Sequence, residues 1–170
     1  TEFEIEEAKR IIETNLPMPA RFEDSHDVLG TYRLVSRREE MKRIPAKAEE
    51  LLQILQYRHQ VLLSARAAKN PGQFKDKNNR AGETHFVDYN LVKGTLIKGF
   101  DFYQALTDSF SRAAYIMFLI SEVHPFLDGN KRAGFAAIHL MLLINDYDLP
   151  SNSEEEISMT KDVTSGKIRE

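Results

Sequence analysis

One stretch limits what this chain can become: HPFLDGNKRAGF, residues 124–135. It gathers a histidine, an aspartate, an asparagine, a lysine and an arginine around a glycine. Before it, Phe102, Ala105, Leu106, Ser109, Phe110, Ala113, Met117 and Ile120 recur at three- and four-residue spacing, the stripe of an amphipathic helix. Asp101 reads as the N-cap of that helix, which runs to about Val123. After it, KRAGFAAIHLMLLIN is largely apolar past Arg132, as core helices are; His139 on that segment reads as a packed core histidine. Pro125 ends the first helix near Val123 or His124, because the residue before a proline is pushed out of the helical region. Asp128, Gly129 and Asn130 suit the turn and cap that start the second. The chain therefore places a polar loop between two core helices.

The rest of the sequence supports a helical body. Residues 2–14 read as a short charged helix stopped by Pro17 and Pro19. Residues 20–44 show no clear period. Ala48, Leu51, Leu52, Leu55, Leu62 and Ala65 predict a helix over 46–69, which Pro71 and Gly72 break. A polar, turn-rich run follows at 75–82, and then THFVD at 84–88, a strand or half of a hairpin. The expected organisation is an N-terminal helical extension over 1–45, a core over 46–150 and a polar tail over 151–170.

Composition removes several function classes. A formal net charge of −3 gives no electrostatic reason to expect a nucleic-acid partner. The absence of cysteine excludes disulfides and thiolate metal sites and fits a reducing, cytoplasmic setting. No apolar run reaches the roughly 20 residues of a membrane span, and the N-terminus is too acidic for a signal peptide. His26, His59, His85 and His139 show no metal-ligand spacing.

The loop has the parts of a phosphoryl site. The helix that follows it presents free N–H groups and a positive dipole end towards the turn. Lys131 and Arg132 in its first turn oppose that dipole, a conflict that a bound phosphate would remove. His124, near its ordinary pKa, can take a proton from a hydroxyl. Asp128 beside a phosphate can hold Mg²⁺. A base, a metal ligand and an anion cradle together can move a phosphoryl-containing group onto a hydroxyl. Each residue also has a structural reading: a loop histidine, an ordinary Asp-Gly-Asn turn and a solvated Lys-Arg pair.

HPFLDGNKR resembles the signature loop of the Fic/Doc family, His-Pro-Phe-x-Asp/Glu-Gly-Asn-Gly-Arg-x-x-Arg. NPGQF at 70–74 resembles the segment that Fic proteins carry before their flap, and Gly82 with THFVD falls where the family has its β-hairpin flap. The resemblance covers roughly residues 48–150. It implies a mainly α fold, a helical bundle with one small hairpin, and transfer of AMP from ATP to a Ser, Thr or Tyr hydroxyl of a target protein. By the same resemblance His124 is the general base, Phe126 anchors the loop in the core, and Asp128 holds Mg²⁺ or Mn²⁺. Gly129 and Asn130 shape the anion-binding turn, Asn130 and Arg132 contact phosphates, and Lys131 adds a cation. The flap residues Thr84, His85, Phe86 and Val87 would pair with the target segment. A protein substrate and a possible homo-oligomer are the partners this implies.

Two positions depart from the pattern. Lys131 stands where the family has its second Gly, and Phe135 where it has its last Arg. The lysine resembles Doc, a branch that phosphorylates its target. Phe135 cannot hold a terminal phosphate, so Lys131 is expected to carry part of that load as a point charge. Phosphate transfer, or a catalytically silent module that binds proteins, are the competing readings. The family's inhibitory pattern, Ser/Thr-x-x-x-Glu followed by Gly or Asn, is met only in its first part, at Ser36…Glu40 and Ser151…Glu155. That form of autoinhibition is expected to be absent.

Overall fold

The structure, a computed structural model, describes residues 3–134. The chain is mainly helical, with one two-stranded antiparallel hairpin. In chain order the helices are α1 (Ile5–Thr14), α2 (Phe22–Ser36), the single turn α3 (Arg38–Met41), α4 (Ala48–Leu62), α5 (Val92–Ala105) and α6 (Ser109–Val123). The strands β1 (Arg80–Ala81) and β2 (Thr84–His85) lie between α4 and α5. Residues 130–134 are again helical. Among the described residues no helix is long and apolar enough to cross a membrane.

Leucines of α4 form the centre of the core. Leu51, Leu55 and Leu62 pack with Leu96 and Phe100 of α5, Ile116 and Ile120 of α6, and Leu34 of α2. The i, i+4 and i+11 spacing of these leucines puts their side chains on one stripe of α4. Helix α2 approaches α4 so closely that a Cβ at Gly30 would lie 2.5 Å from the Val61 carbonyl oxygen. Any side chain there would separate the two helices. The unassigned stretch 20–44 thus contains α2 and α3. Its period is hidden because α2 buries Ser25, Asp27 and Gly30 beside Leu29 and Leu34.

The helix expected over 101–123 is two helices. Asp101 lies inside α5 rather than capping it. The working cap is Asp108, whose carboxylate accepts the Ser111 N–H at 2.8 Å. Leu106 is extended, and its carbonyl accepts from Arg112 Nε at 2.8 Å. The apolar spacing continues across this break, so periodicity alone reads one helix. The helix expected over 46–69 ends at Leu62, with a 3₁₀ turn at Ala67–Lys69. Phe86 and Val87 lie just past β2, because the hairpin pairs only Arg80 with His85 and Ala81 with Thr84.

Candidate functional site

Helix α6 ends as its sequence requires. His124 takes the left-handed conformation (φ 48°, ψ 61°) and its N–H still reaches the Ile120 carbonyl at 3.0 Å. Its imidazole Nδ1 lies 2.9 Å from the Ser121 carbonyl oxygen. A carbonyl can only accept, so Nδ1 carries the proton and Nε2 keeps its lone pair. Phe86, from the end of the hairpin, stacks flat on the ring, with centroids 3.6 Å apart and planes 9° apart. Burial holds the His124 pKa below the ordinary histidine value. The Ser121 hydrogen bond and Glu122 oppose that shift, and the positive charges of Lys75 and Lys131 add to it. A neutral imidazole follows at neutral pH, with an Nε2 that makes no hydrogen bond among the described residues.

The loop backbone beyond His124 is held by buried side chains. The Asn130 amide donates to the Phe126 carbonyl at 2.8 Å and accepts the Phe126 N–H at 2.9 Å. This closes the turn like a short backbone ladder. Phe126 is fully buried between His59 (3.8 Å, planes 2° apart) and Phe74 (5.4 Å). The His59 ring accepts the Gly72 N–H at Nδ1 (2.9 Å), so its Nε2 carries a proton and donates it to the Asp128 carbonyl at 3.0 Å. Burial lowers the His59 pKa as well. Gly129 has φ 71°, and a Cβ there would lie 2.9 Å from Leu63 Cδ1. Both the conformation and the space require glycine.

A second clamp comes from the segment ahead of the hairpin. Lys75 is buried, with 3% of its surface exposed. Its N–H donates to the Pro125 carbonyl at 2.8 Å, and its Nζ donates to the Val123 carbonyl (3.2 Å) and to Asn79 Oδ1 (2.7 Å). Asn79 in turn donates to the Phe126 carbonyl at 2.9 Å. Burial lowers the Lys75 pKa, against the attraction of Asp88. Lys75, Asn79 and His59 are contributors that sequence reasoning missed. Lys75 and Asn79 lie in a polar run that reads as solvated, and His59 reads as one of several scattered histidines. Lys75 meets the orphan carbonyls at the end of α6, where a cation suits them, only through the fold, 48 residues along the chain, so nothing local marks it.

The charged residues form the outer rim. Asp128 is half-buried; one oxygen accepts the Gly129 N–H at 2.6 Å and the other is 3.7 Å from Lys69 Nζ. Lys131 is exposed. Arg132 is paired through Nη1 with Asp27 of α2. The anion that answers the dipole conflict at this helix start is therefore already in the chain. The expectation that the Asn130 side chain meets phosphates changes, because both its polar atoms serve Phe126. The hairpin places Thr84 and His85 on the exposed surface and Phe86 against His124. His26 packs on Phe22 instead of joining the site. Glu40 is engaged by Arg58 and Arg43. Phe135, His139 and Ser151…Glu155 lie outside the described residues. Among the described residues no three acidic or histidine side chains converge on a metal position. One carboxylate still fits Mg²⁺, which takes its remaining ligands from water and substrate phosphates.

Residues 47–142 match the family model described as the Fic/DOC family. A Fido domain-containing protein of Dictyostelium discoideum is 27% identical over 84 residues, covering 46% of this chain and 59% of that relative. The crystal structure of a Fic family protein from Desulfovibrio desulfuricans superposes with a TM-score of 0.68 at 16% identity, covering 85% of this chain and 44% of that one. A Fic domain containing signaling protein from Bacteroides thetaiotaomicron gives 0.71 at 12% identity, covering 96% and 65%. The two structures share the fold, and this chain spans less than two thirds of the length of each of the three relatives.

Proposed function

Because the chain belongs to the Fic/DOC family, we propose that it is a protein adenylyltransferase, moving AMP from ATP to a Ser, Thr or Tyr hydroxyl of a target protein. The observation that carries this reading is the state of His124. Ser121 fixes the tautomer with Nε2 unprotonated, and burial keeps the ring neutral. Nε2 takes the hydroxyl proton as the target oxygen attacks the α-phosphorus. The bond to the β,γ-phosphates breaks and pyrophosphate leaves. Removing such a base typically costs about 10²–10⁴-fold in rate.

The other residues divide the remaining work. Asp128 would hold Mg²⁺, displacing its contact with Lys69, and the ion would neutralise phosphate charge. Arg132 and Lys131 supply cations to the phosphates. The N–H groups at the start of the 130–134 helix lie beside them. The target segment pairs with the exposed hairpin edge at Thr84 and His85, next to the Phe86–His124 stack.

Lys131 in place of the family's glycine favours one alternative, transfer of the γ-phosphate. ATP labelled separately at the α and γ positions, incubated with the protein, Mg²⁺ and candidate target proteins, distinguishes the two. Protein-bound label from α-labelled ATP, lost in His124→Ala, is the expected result. Label from γ alone would replace AMP transfer by phosphorylation. Label from neither would leave a binding module.

A further inference from the structure

We propose that Asp27, on α2, is a positioning residue for Arg132. It holds one edge of the guanidinium so that the other edge is presented to the nucleotide phosphates. The inference rests on the reading of Arg132 as a phosphate ligand given above. Asp27 lies ahead of residue 47, where the family match begins, so the segment before the matched region completes the site.

The geometry has a fixed end and a free end. Asp27 is buried, and Arg66 grips its carboxylate from Nε at 3.1 and 2.9 Å and from Nη2 at 2.9 Å. Arg66 is itself held by Asp24 at 2.6 Å and Glu23 at 3.0 Å. The carboxylate therefore cannot follow a moving partner. Arg132 approaches it most closely through Nη1, and among the described residues its Nε and Nη2 donate no hydrogen bond. The Nε–Nη2 edge is the one that meets a phosphate in fork geometry. The Arg132 side chain is 35% exposed, so a ligand can reach it.

A carboxylate beside a phosphate ligand could instead compete with the phosphate. Two features favour positioning. Arg66 sits directly on Asp27 and offsets part of its field at a phosphate beyond Arg132, although Asp24 and Glu23 share that arginine's charge. Removing Asp27 then returns less attraction than removing an unpaired carboxylate would. What is lost is the restraint on a long side chain at a helix start whose dipole repels it.

The test titrates ATP with Mg²⁺ into the full chain by calorimetry. Variants are Asp27→Asn, Arg132→Ala, the double variant and Asp27→Glu, with melting temperatures alongside. Arg132→Ala should weaken binding by about 10–100-fold, the loss of a charge-assisted contact. Asp27→Asn should weaken it by about five- to tenfold, the restraint on one arginine. The double variant should bind no more weakly than Arg132→Ala alone, because both changes act through one side chain. Should Asp27→Asn fail to fold, Asp27→Glu keeps the charge, moves the carboxylate, and should weaken binding by a smaller factor. Wild-type or tighter binding by the Asp27 variants, with weak binding by Arg132→Ala, would overturn the proposal. Wild-type binding by Arg132→Ala would overturn the phosphate role of Arg132 and the proposal with it.

Discussion

The inner and outer halves of the 124–132 loop are built differently. The inner half, from His124 to the Asp128 carbonyl, is held by Asn130, His59, Lys75 and Asn79, all through hydrogen bonds to backbone atoms. His59, Asn130 and Lys75 are buried. The outer half, formed by the Asp128 carboxylate, Lys131 and Arg132, is more exposed, and Asp128 and Arg132 each carry one ion pair. The inner half fixes where His124 stands, and the outer half leaves charge available to a ligand. A buried, fully paired network is rigid and costly to interrupt, whereas an exposed ion pair contributes little to stability. Mutations in the two halves should therefore separate stability from chemistry.

The largest effect should come from the inner half. His59→Ala removes the ring stacked on Phe126 and leaves the Gly72 N–H and the Asp128 carbonyl without partners. A loss of about 3–5 kcal/mol of stability is expected, read by urea or thermal unfolding, with transfer lost as well. His124→Ala should do the opposite: about 10²–10⁴-fold less transfer with a melting temperature near that of the wild type. Comparable stability losses in the two variants would erase the distinction between structural and chemical histidine.

That distinction was only partly legible in the sequence. The loop itself, the α6 stop before Pro125 and the presence of a hairpin could be read because proline, glycine and periodicity act locally. His59 could not be assigned, because its two partners are backbone atoms at Gly72 and Asp128, far along the chain. Helix α2 was hidden because a helix that delivers Asp27 to a buried ion pair breaks its own apolar stripe. The α5–α6 break was missed because Phe102, Leu106 and Phe110 keep helical spacing across a turn that only Asp108 marks.

Lys75→Met should have an intermediate effect. It keeps much of the volume but leaves the Val123 carbonyl and Asn79 Oδ1 without the ammonium, about 1–2 kcal/mol of stability. It also removes a positive charge that lowers the His124 pKa. The acid limb of the transfer rate should then move to higher pH, measured as rate against pH in both proteins. A limb that stays in place would show that Lys75 acts on the loop backbone alone. Asp128→Asn, in the outer half, should change stability by less than about 0.5 kcal/mol while weakening Mg²⁺-dependent ATP binding. Equal weakening with and without Mg²⁺ in calorimetry would remove Asp128 from the metal.

The smallest effect is on stability against pH. Both His59 and His124 have folded pKa values below that of an unfolded histidine. The unfolded chain therefore binds more protons in the window below about 6.5. The stability these two groups contribute is complete above that value and is lost as pH falls through their folded values. A melting temperature that falls on acidification from pH 7 to pH 5, less steeply in His59→Ala, is the expected result.

The most direct test of the central claim is an NMR titration of the imidazole nitrogens in ¹⁵N-histidine-labelled protein. That claim is a neutral base held ready by an inner network. His124 should show Nδ1 protonated and Nε2 bare at pH 7, and should titrate below the ordinary histidine range. His59 should show the opposite tautomer, with Nε2 protonated. A His124 that is charged at pH 7, or one that carries its proton on Nε2, would contradict the account.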